Sequence, residues 1–394
     1  MQINIGLAEC HRTLCLIKTE IPILGRIRQS SSQLMKLIVN KHLRMKQKDL
    51  KRAYNNVLAQ AISTSHQHLF AGNLFGDIFV LRIKELDKGS EEPPGKLQIF
   101  PQGGDVDINY LAFHRDFLIV GAVGLIYGLQ WNEEEESLAT KRSWEVKIPM
   151  QVDAVEVPDV NSMWLDSENS LLFAGCGDGV IYQVSLEDGR VQREYRGHTD
   201  YVHSVVGNSK GQIFSGAEDG TVRVWSTKQQ EQTAMLEPHK NPKLLRPDWG
   251  KWIGAVAVNE DWLLCGGGPK AALYHLRSLE CTRVFDFPGR VHLCDFVDDC
   301  VLIGGEHNHV QSYTLSGALQ ANIPVEHTAC YSAVWQTSPI KLMSIAGFSN
   351  KLHILKDFRF LDSKIDLYGN VQGDENDPEE DEELIEEPLT IEAA

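Results

Sequence analysis

The sequence predicts an all-β chain that folds as a seven-bladed β-propeller. A short motif, two small or apolar residues followed by glycine, recurs at intervals of 38 to 54 residues, close to the roughly 40–45 residues of a four-stranded blade. Each copy is flanked by short alternating runs bounded by turn residues, which is typical of β-strands. Helical periodicity is nearly absent between residues 57 and 358. The motif glycines are Gly72, Gly121, Gly175, Gly216, Gly266, Gly304 and Gly347.

The composition is that of a globular chain with unevenly distributed charge. Of its 394 residues, 42% are hydrophobic and 23% are charged, and the formal net charge is −16. Residues 1–56 carry 11 Lys or Arg against three acids, residues 374–392 carry 11 acids and no base, and the body between them is acidic. Such a body lacks the broad basic footprint of a nucleic-acid-binding protein. No apolar run approaches the roughly 18 residues of a membrane span, and the eight cysteines, with no C-x-x-C pair, suit a reducing compartment.

Two segments precede the first blade motif. Residues 1–44 form a basic N-terminal extension that we expect to be disordered, since it contains no copy of the motif. A weak organellar transit sequence is the alternative, and Met35 and Met45 offer later starts. Residues 45–54 are rich in helix formers, which predicts a short helix leading into the first blade.

The propeller is predicted to occupy residues 45–370, and an acidic tail follows it. Two polar stretches, residues 88–95 and 133–136, are predicted to be surface loops between blades one and two and between blades two and three. Residues 371–394 are too charged and too poor in apolar residues to fold alone, so we expect a disordered tail. Such a tail could cover a basic surface or meet a basic partner.

Residues 197–226 carry one complete copy of a known repeat. They read G-H-T-D-Y-V-H-S-V-V-G-N-S-K-G-Q-I-F-S-G-A-E-D-G-T-V-R-V-W-S, which resembles a WD40 repeat from its Gly-His start to its Trp-Ser end. The resemblance implies a seven-bladed WD40 propeller with a hydrogen-bonded tetrad of His198, Ser215, Asp219 and Trp225. By the same resemblance, His198 precedes the first strand, Asp219 lies in the turn after the second strand, and Trp225 lies on the third. These groups are chemically complementary, because each donor among them finds an acceptor.

His198, Ser215 and Asp219 are also the residue types of a catalytic triad. We favour the structural network, because the order and spacing are those of the repeat, which would bury the serine away from any substrate. The other copies keep the tetrad pattern only in part. Among them Trp131 survives, and near the tryptophan position of later blades stand Tyr274, Tyr313 and Leu355.

Two clusters suggest ligand binding but have simpler explanations. The glycine-rich stretches 175–179 and 266–268 resemble phosphate-binding loops, but no helix follows either one, so tight turns explain them. His307 and His309 lie in one predicted turn. No third ligand stands beside them at metal-binding spacing, so no metal is predicted.

Three nearby carboxylates, Asp295, Asp298 and Asp299, could perform glycoside chemistry. They flank the predicted turn between two strands, where solvated acids are ordinary. No nucleophile elbow, Walker loop or kinase motif is present in the sequence. We therefore predict no catalytic residue, no cofactor and no small-molecule substrate, and expect a binding scaffold rather than an enzyme.

The stretch 246–254 points to a narrower family. It reads R-P-D-W-G-K-W-I-G and is followed by D-W-L-L-C-G-G-G-P at 261–269 and L-Y-H-L-R-S at 273–278. With these segments, residues 54–368 resemble the THO complex subunit 6 family. The resemblance implies a nuclear subunit of the THO part of the transcription-export complex (TREX), which supports mRNA processing and nuclear mRNA export. It also implies other THO subunits as partners, especially coiled-coil subunits 5 and 7, with RNA contacted indirectly through the complex.

Four residues of this stretch form a candidate protein interface: Arg246, Trp249, Lys251 and Trp252. Tryptophan beside basic residues is common in interface anchors, but these tryptophans could equally pack between blades four and five. The alternative function is a WD40 substrate receptor of a Cullin4-type ubiquitin ligase, which carries a W-D-x-R end on the third strand. Residues 225–227 read Trp-Ser-Thr and lack that Asp. A phosphopeptide reader, which needs an Arg cluster on one rim, is a third option.

Overall fold

The computed structural model describes residues 51–86, 98–101, 107–151, 157–228 and 231–369, which form seven antiparallel sheets. Blade 1 contains β1 (Val57–Ile62), β2 (His68–Asn73), β3 (Asp77–Arg82), the short helix α1 (Ile83–Leu86) and β4 (Gln98–Pro101). Blade 2 contains β5 (Tyr110–His114), β6 (Phe117–Ala122), β7 (Leu125–Asn132), β8 (Ser137–Leu138) and β9 (Trp144–Lys147). Blade 3 contains β10 (Val160–Asp166), β11 (Leu171–Cys176), β12 (Ile181–Ser185) and β13 (Val191–Tyr195).

The remaining four blades are simple four-stranded meanders. Blade 4 contains β14 (Val202–Gly207), β15 (Gln212–Ala217), β16 (Val222–Ser226) and β17 (Gln232–Leu236). Blade 5 contains β18 (Ala255–Val258), β19 (Trp262–Gly268), β20 (Lys270–His275) and β21 (Glu280–Asp286). Blade 6 contains β22 (Val291–Val297), β23 (Cys300–Gly305), β24 (His309–Thr314) and β25 (Leu319–Pro324). Blade 7 contains β26 (Cys330–Gln336), β27 (Leu342–Gly347), β28 (Lys351–Lys356) and β29 (Phe360–Asp366).

The seven sheets are arranged as the predicted β-propeller. The first strand of each blade lies beside the first strands of the neighbouring blades, so these strands surround the axis. The second strands bury almost every residue, as in β2, because both faces of each sheet pack against a neighbour. The fourth strands lie at the periphery, and β17 accordingly alternates between exposed and half-buried residues. All-β class and blade number are thus confirmed.

Each motif glycine lies on the second strand of its blade, and close packing explains the residue type. A Cβ atom at Gly72 would lie 2.4 Å from Ile108 Cγ2, and one at Gly175 would lie 2.5 Å from Val205 Cγ2. Ile108 and Val205 belong to the following blade, so the glycine lets the next blade approach. In blade 7 the motif glycine, Gly347, pairs one residue later in the register than in the other blades.

Serine hydroxyls join first strands across the blade boundaries. Ser162 Oγ accepts a hydrogen bond from the Val205 amide at 3.0 Å, and Ser204 Oγ accepts from the Val256 amide at 3.1 Å. Ser162 and Ser204 pair with motif glycines of their own blades. Neighbouring blades are therefore connected by polar contacts as well as by apolar packing.

Side chains close the ring between blades 1 and 7. Among the described residues every blade is built from consecutive strands, so no strand is exchanged at the closure. The Ser344 hydroxyl donates to Gln60 Oε1 at 2.5 Å, and Asn73 Nδ2 donates to the Tyr368 hydroxyl at 2.8 Å. An apolar cluster of both blades, including Phe79, lies beneath these bonds.

The placement of one loop and one tetrad assignment were wrong. Residues 133–136 are largely exposed, as predicted, but they lie inside blade 2, between β7 and β8, rather than between blades 2 and 3. The last strand of blade 2 follows this loop instead of preceding it. The stretch 88–95 lies outside the described residues, so the prediction for it stays a prediction. Trp131 lies two residues beyond the position of the tetrad tryptophan, which Leu129 occupies by register. The Trp131 indole donates to Glu133 Oε2 at 2.6 Å rather than to a serine.

The predicted terminal segments fall outside the described residues. Residues 1–44, 371–394 and most of the stretch 45–54 belong to this part, although residues 51–53 are helical. The predictions of an extension, a short helix and an acidic tail therefore stay predictions. Within the described part of the chain, no helix is long and apolar enough to cross a bilayer.

Candidate functional site

The four predicted tetrad residues meet in blade 4. His198 Nδ1 lies 2.9 Å from Asp219 Oδ2, and His198 Nε2 lies 2.7 Å from Ser215 Oγ. The Trp225 indole N–H donates to Ser215 Oγ at 2.9 Å. Thr221, which the sequence did not single out, donates its hydroxyl to Asp219 Oδ1 at 2.7 Å.

The number of protons that each group can donate sets the direction of the hydrogen bonds in the tetrad. Because Trp225 donates to the Ser215 oxygen, the Ser215 hydroxyl is free to donate to His198 Nε2, and His198 Nδ1–H then donates to Asp219. Burial lowers the pKa of His198, against the opposing effect of Asp219. Burial alone would raise the pKa of Asp219, but hydrogen bonds from His198 and Thr221 outweigh it and lower that pKa. A neutral imidazole beside a carboxylate follows.

The same geometry argues against nucleophilic chemistry. Ser215 is fully buried, and its oxygen already accepts the Trp225 indole. A nucleophilic serine needs an exposed oxygen that approaches an electrophilic carbon. The group therefore fixes the turn before the third strand against the segment that precedes the first strand.

A long connector between blades 4 and 5, residues 237–254, carries the candidate interface. Three short 3₁₀ helices form it, Pro238–Lys240, Pro242–Leu244 and Pro247–Trp249, and each has proline at its first position, where the missing N–H costs no hydrogen bond. Leu244 buries its side chain in the apolar cluster of blades 4 and 5. The connector is thus anchored to the propeller rather than looped away from it.

Trp249 and Leu245 stand on the surface of this connector. Trp249 is 39% exposed and Leu245 is 58% exposed, both high values for large apolar side chains. Lys251 is exposed beside them. This surface combines positive charge with exposed aromatic and aliphatic area, and exposed aromatic area is typical of protein docking sites.

Arg246 lies beneath this surface. Its Nη2 donates to the Trp252 carbonyl, and its guanidinium fills the space that a Cβ atom at Gly268 would need. Burial lowers the pKa of Arg246 to about 10, so the side chain remains a cation at neutral pH. Within the described residues, Nη1 is buried without a hydrogen-bond partner.

Trp252 lies at the axial end of the connector. Its ring is 6.0 Å from His203 of blade 4 and 5.3 Å from His292 of blade 6, measured between ring centroids. It occupies the space above Gly254, where a Cβ atom would lie 2.1 Å from its ring. His292 in turn contacts Tyr331 of blade 7 at 5.1 Å. Trp252 therefore packs among blades, whereas Trp249 faces solvent.

The row His203, Trp252, His292 and Tyr331 was not predicted. His203, His292 and Tyr331 each occupy the residue at which the first strand shifts register against the second. A comparison of blade sequences by strand position would have aligned them. The row lies at one end of the ring of first strands, on the face that also holds the connector.

Other candidate residues have structural partners. Asp295 is not a solvated acid, since burial raises its pKa to about 6 and it accepts the Trp335 indole N–H at 2.8 Å. His307 and His309 stack at 5.3 Å between ring centroids. In the part of the chain that the structure describes, no group of three or more metal-binding side chains is found.

Known proteins share this sequence and fold. A family model described as "WD domain, G-beta repeat" matches residues 189–226, the segment of the tetrad. The chain is 90% identical over 350 residues to THO complex subunit 6 of Drosophila melanogaster, covering 89% of this chain and 100% of that relative. The chain belongs to the THO complex subunit 6 family.

More distant members and a solved structure agree with this assignment. THO complex subunit 6 of Homo sapiens is 30% identical over 318 residues, which cover 79% of this chain and 92% of the human protein. The crystal structure of the WD40 β-propeller domain of Doa1 superposes with a TM-score of 0.61 at 11% identity, over 77% of this chain and 93% of the solved one. The latter likeness supports the WD40 propeller fold alone.

Proposed function

We propose that this THO complex subunit 6 family member is a non-enzymatic scaffold of the THO complex. In this role it works in the nucleus as part of the transcription-export machinery and supports mRNA processing and export through protein contacts. Membership of the family carries the proposal, because the names of its relatives describe them as subunits of one complex. The buried Ser215 supports the absence of catalysis.

We place the docking site for other subunits on the connector between blades 4 and 5. Trp249 and Leu245 supply exposed apolar area there, and Lys251 supplies charge. Coiled-coil subunits 5 and 7 are the proposed neighbours, since an exposed aromatic and an aliphatic side chain suit the apolar stripe of a helix. RNA is met through other subunits, because the net charge of this chain is −16.

Affinity purification with quantitative mass spectrometry tests this function. The full chain, tagged and expressed in cells, is expected to recover the other THO subunits. The double variant Leu245→Ala/Trp249→Ala is expected to lose most of this recovery. Phe360→Ala is the matched control, because Phe360 is 69% exposed and begins β29, directly after the turn from β28, on the opposite face.

The outcomes separate the proposal from its rivals. Recovery of ubiquitin-ligase adaptors without THO subunits would show a ligase receptor instead. Equal recovery of THO subunits by both variants would keep the complex membership and reject the connector as the docking site.

A further inference from the structure

Unpaired positive charge on one face of the propeller is concentrated at blade 5. This face, the connector face, consists of the segments that lead into the first strands and the turns between second and third strands. Five of its described cations outside blade 5 have a carboxylate within salt-bridge distance: Lys51 with Asp77, Arg52 with Asp366, Arg196 with Glu194, Arg290 with Glu306, and Lys351 with Glu326.

Blade 5 differs. Of its cations on this face, Lys240 pairs with Glu237 at 2.7 Å. The other four have no ion pair among the described residues, and they form what we term the basic surface: Lys243, Arg246, Lys251 and Lys270.

Contacts within the basic surface hold its charges together. Lys270 Nζ donates to the Lys243 carbonyl at 2.7 Å, and Arg246 donates to the Trp252 carbonyl. Among the described residues, neither cation has a carboxylate within salt-bridge distance. The exposed side chains of Leu245 and Trp249 lie in the same connector. A ligand for this surface is therefore acidic and carries apolar side chains.

The sequence of the chain itself contains such a ligand. Residues 374–392 hold 11 acids and no base, with Leu384, Ile385, Leu389 and Ile391 among them. On the rest of the connector face the salt bridges leave no comparable set of unpaired cations in the described residues. Charge and apolar content thus both match the basic surface.

The chain also leaves the propeller on the correct face. The Leu367 amide donates to the Asn350 carbonyl in the turn of blade 7, and the Tyr368 hydroxyl meets Asn73 in blade 1. Blade 5 is two blades away, about 20 Å near the axis at roughly 10 Å between packed sheets. The 15 residues from Gly369 to Leu384 span about 50 Å when extended, so the reach is sufficient.

We propose that the acidic segment 374–392 binds the basic surface of blade 5 within the same chain. Tethering raises the effective concentration of the segment to about the millimolar range, so even weak binding in trans gives high occupancy in cis. A partner that docks on Trp249 then has to displace the segment. The contact itself does not depend on the proposed function, since it is measured on the isolated chain.

Peptide binding to a charge-neutral variant tests the surface. All 11 acids of residues 374–392 are changed to Asn or Gln in the full chain, and a fluorescent peptide of the original residues 374–392 is titrated by anisotropy. We expect saturable binding, with an affinity that falls about tenfold or more between about 50 and 200 mM salt. Absence of saturable binding at low salt would overturn the proposal.

Matched lysine variants localise the binding. Adding Lys243→Ser, Lys251→Ser and Lys270→Ser to this variant is expected to lower its affinity for the peptide at least about tenfold. Arg246 is kept because it supports Trp252. The control changes Lys84, Lys141 and Lys228 to Ser, which are exposed and lie between the third and the last strand of blades 1, 2 and 4. Equal loss in both variants would overturn the site. If the triple variant does not unfold cooperatively, the single variants Lys243→Gln and Lys251→Gln are titrated with the peptide instead.

Carbodiimide crosslinking of the natural chain tests the contact in cis. A mixture of ¹⁵N-labelled and unlabelled full chains is crosslinked, and the linked peptides are identified by mass spectrometry. Links from residues 374–392 to Lys243, Lys251 or Lys270 are expected within one isotopic chain. Pairs of mixed isotope would show binding between two copies and would reject the cis assignment. Links spread evenly over the control lysines would reject the site.

Discussion

His353 Nδ1 lies 2.9 Å from His327 Nε2 in blade 7, and both imidazoles are buried. The Glu326 amide donates to His353 Nε2 at 3.1 Å, so the proton of His353 is on Nδ1 and points at His327. Burial lowers the pKa of His327 to about 4, and burial together with His327 lowers the pKa of His353 to about 3. The pair is therefore neutral in the folded protein.

This pair predicts acid sensitivity. In the unfolded chain both histidines titrate near 6.5, so the unfolded state binds more protons than the folded state at any pH between about 6.5 and 4. Folding stability is complete above that window and falls as the pH decreases through it, by up to about 1.4 kcal/mol per pH unit for each histidine. Urea unfolding between pH 7 and pH 4.5 measures this slope.

A variant isolates the contribution of the pair. His353→Gln keeps an acceptor for the Glu326 amide but does not titrate, so we expect a smaller pH slope over the same window. His309→Gln is the control, since His309 is only partly buried. An unchanged slope in His353→Gln would contradict the assignment of acid sensitivity to this pair.

Removal of the Ser215 hydroxyl is expected to destabilise the propeller. Ser215→Ala leaves the Trp225 indole and His198 Nε2 buried without partners, which costs about 1–3 kcal/mol in the free energy of unfolding. Trp225→Phe in the Ser215→Ala background is expected to add less than it does alone, because the shared bond is already lost. Urea unfolding of the double-mutant cycle measures the coupling. Purely additive effects would mean that the tetrad bonds are energetically independent.

A methyl group at a motif glycine is expected to push neighbouring blades apart. In Gly175→Ala the new Cβ would lie 2.5 Å from Val205 and 2.7 Å from Val202, whereas in Gly304→Ala it would lie 3.1 Å from the flexible end of Leu293. We expect Gly175→Ala to cost about 1–3 kcal/mol and Gly304→Ala clearly less. Thermal unfolding compares the two, and Val205→Ala is expected to restore part of the loss.

Alanine substitutions at the two tryptophans of the connector are expected to differ in their effect on the free energy of unfolding. Trp252→Ala leaves a gap between His203 and His292 and is expected to cost about 2 kcal/mol or more. Trp249→Ala changes the free energy of unfolding by no more than about 0.5 kcal/mol, as surface substitutions usually do. Urea unfolding of both variants checks this contrast. A larger loss for Trp249→Ala would indicate that it packs rather than docks.

The tetrad and the blade count were predictable because they depend on local patterns. Ser215 and Asp219 lie four residues apart on a strand and its turn, and each motif glycine recurs at a blade-length interval. Such spacing is visible without knowledge of neighbours in space. Trp131 was misassigned because it lies two residues beyond the register position of the tetrad tryptophan. The residue type alone does not reveal which register position a tryptophan occupies.

The all-β class, the seven repeats, the position of His198 before a first strand and that of Trp225 on a third strand follow from the sequence alone. The contacts between distant side chains come from the three-dimensional packing: Trp252 with His203 and His292, His327 with His353, and Gly175 with the next blade. The physical reason is that strand formation and turns depend on residues near in sequence, whereas a propeller places its first strands around one axis. Contacts at that axis join residues that are tens to hundreds of positions apart in the sequence. Patterns among neighbouring residues do not predict such contacts.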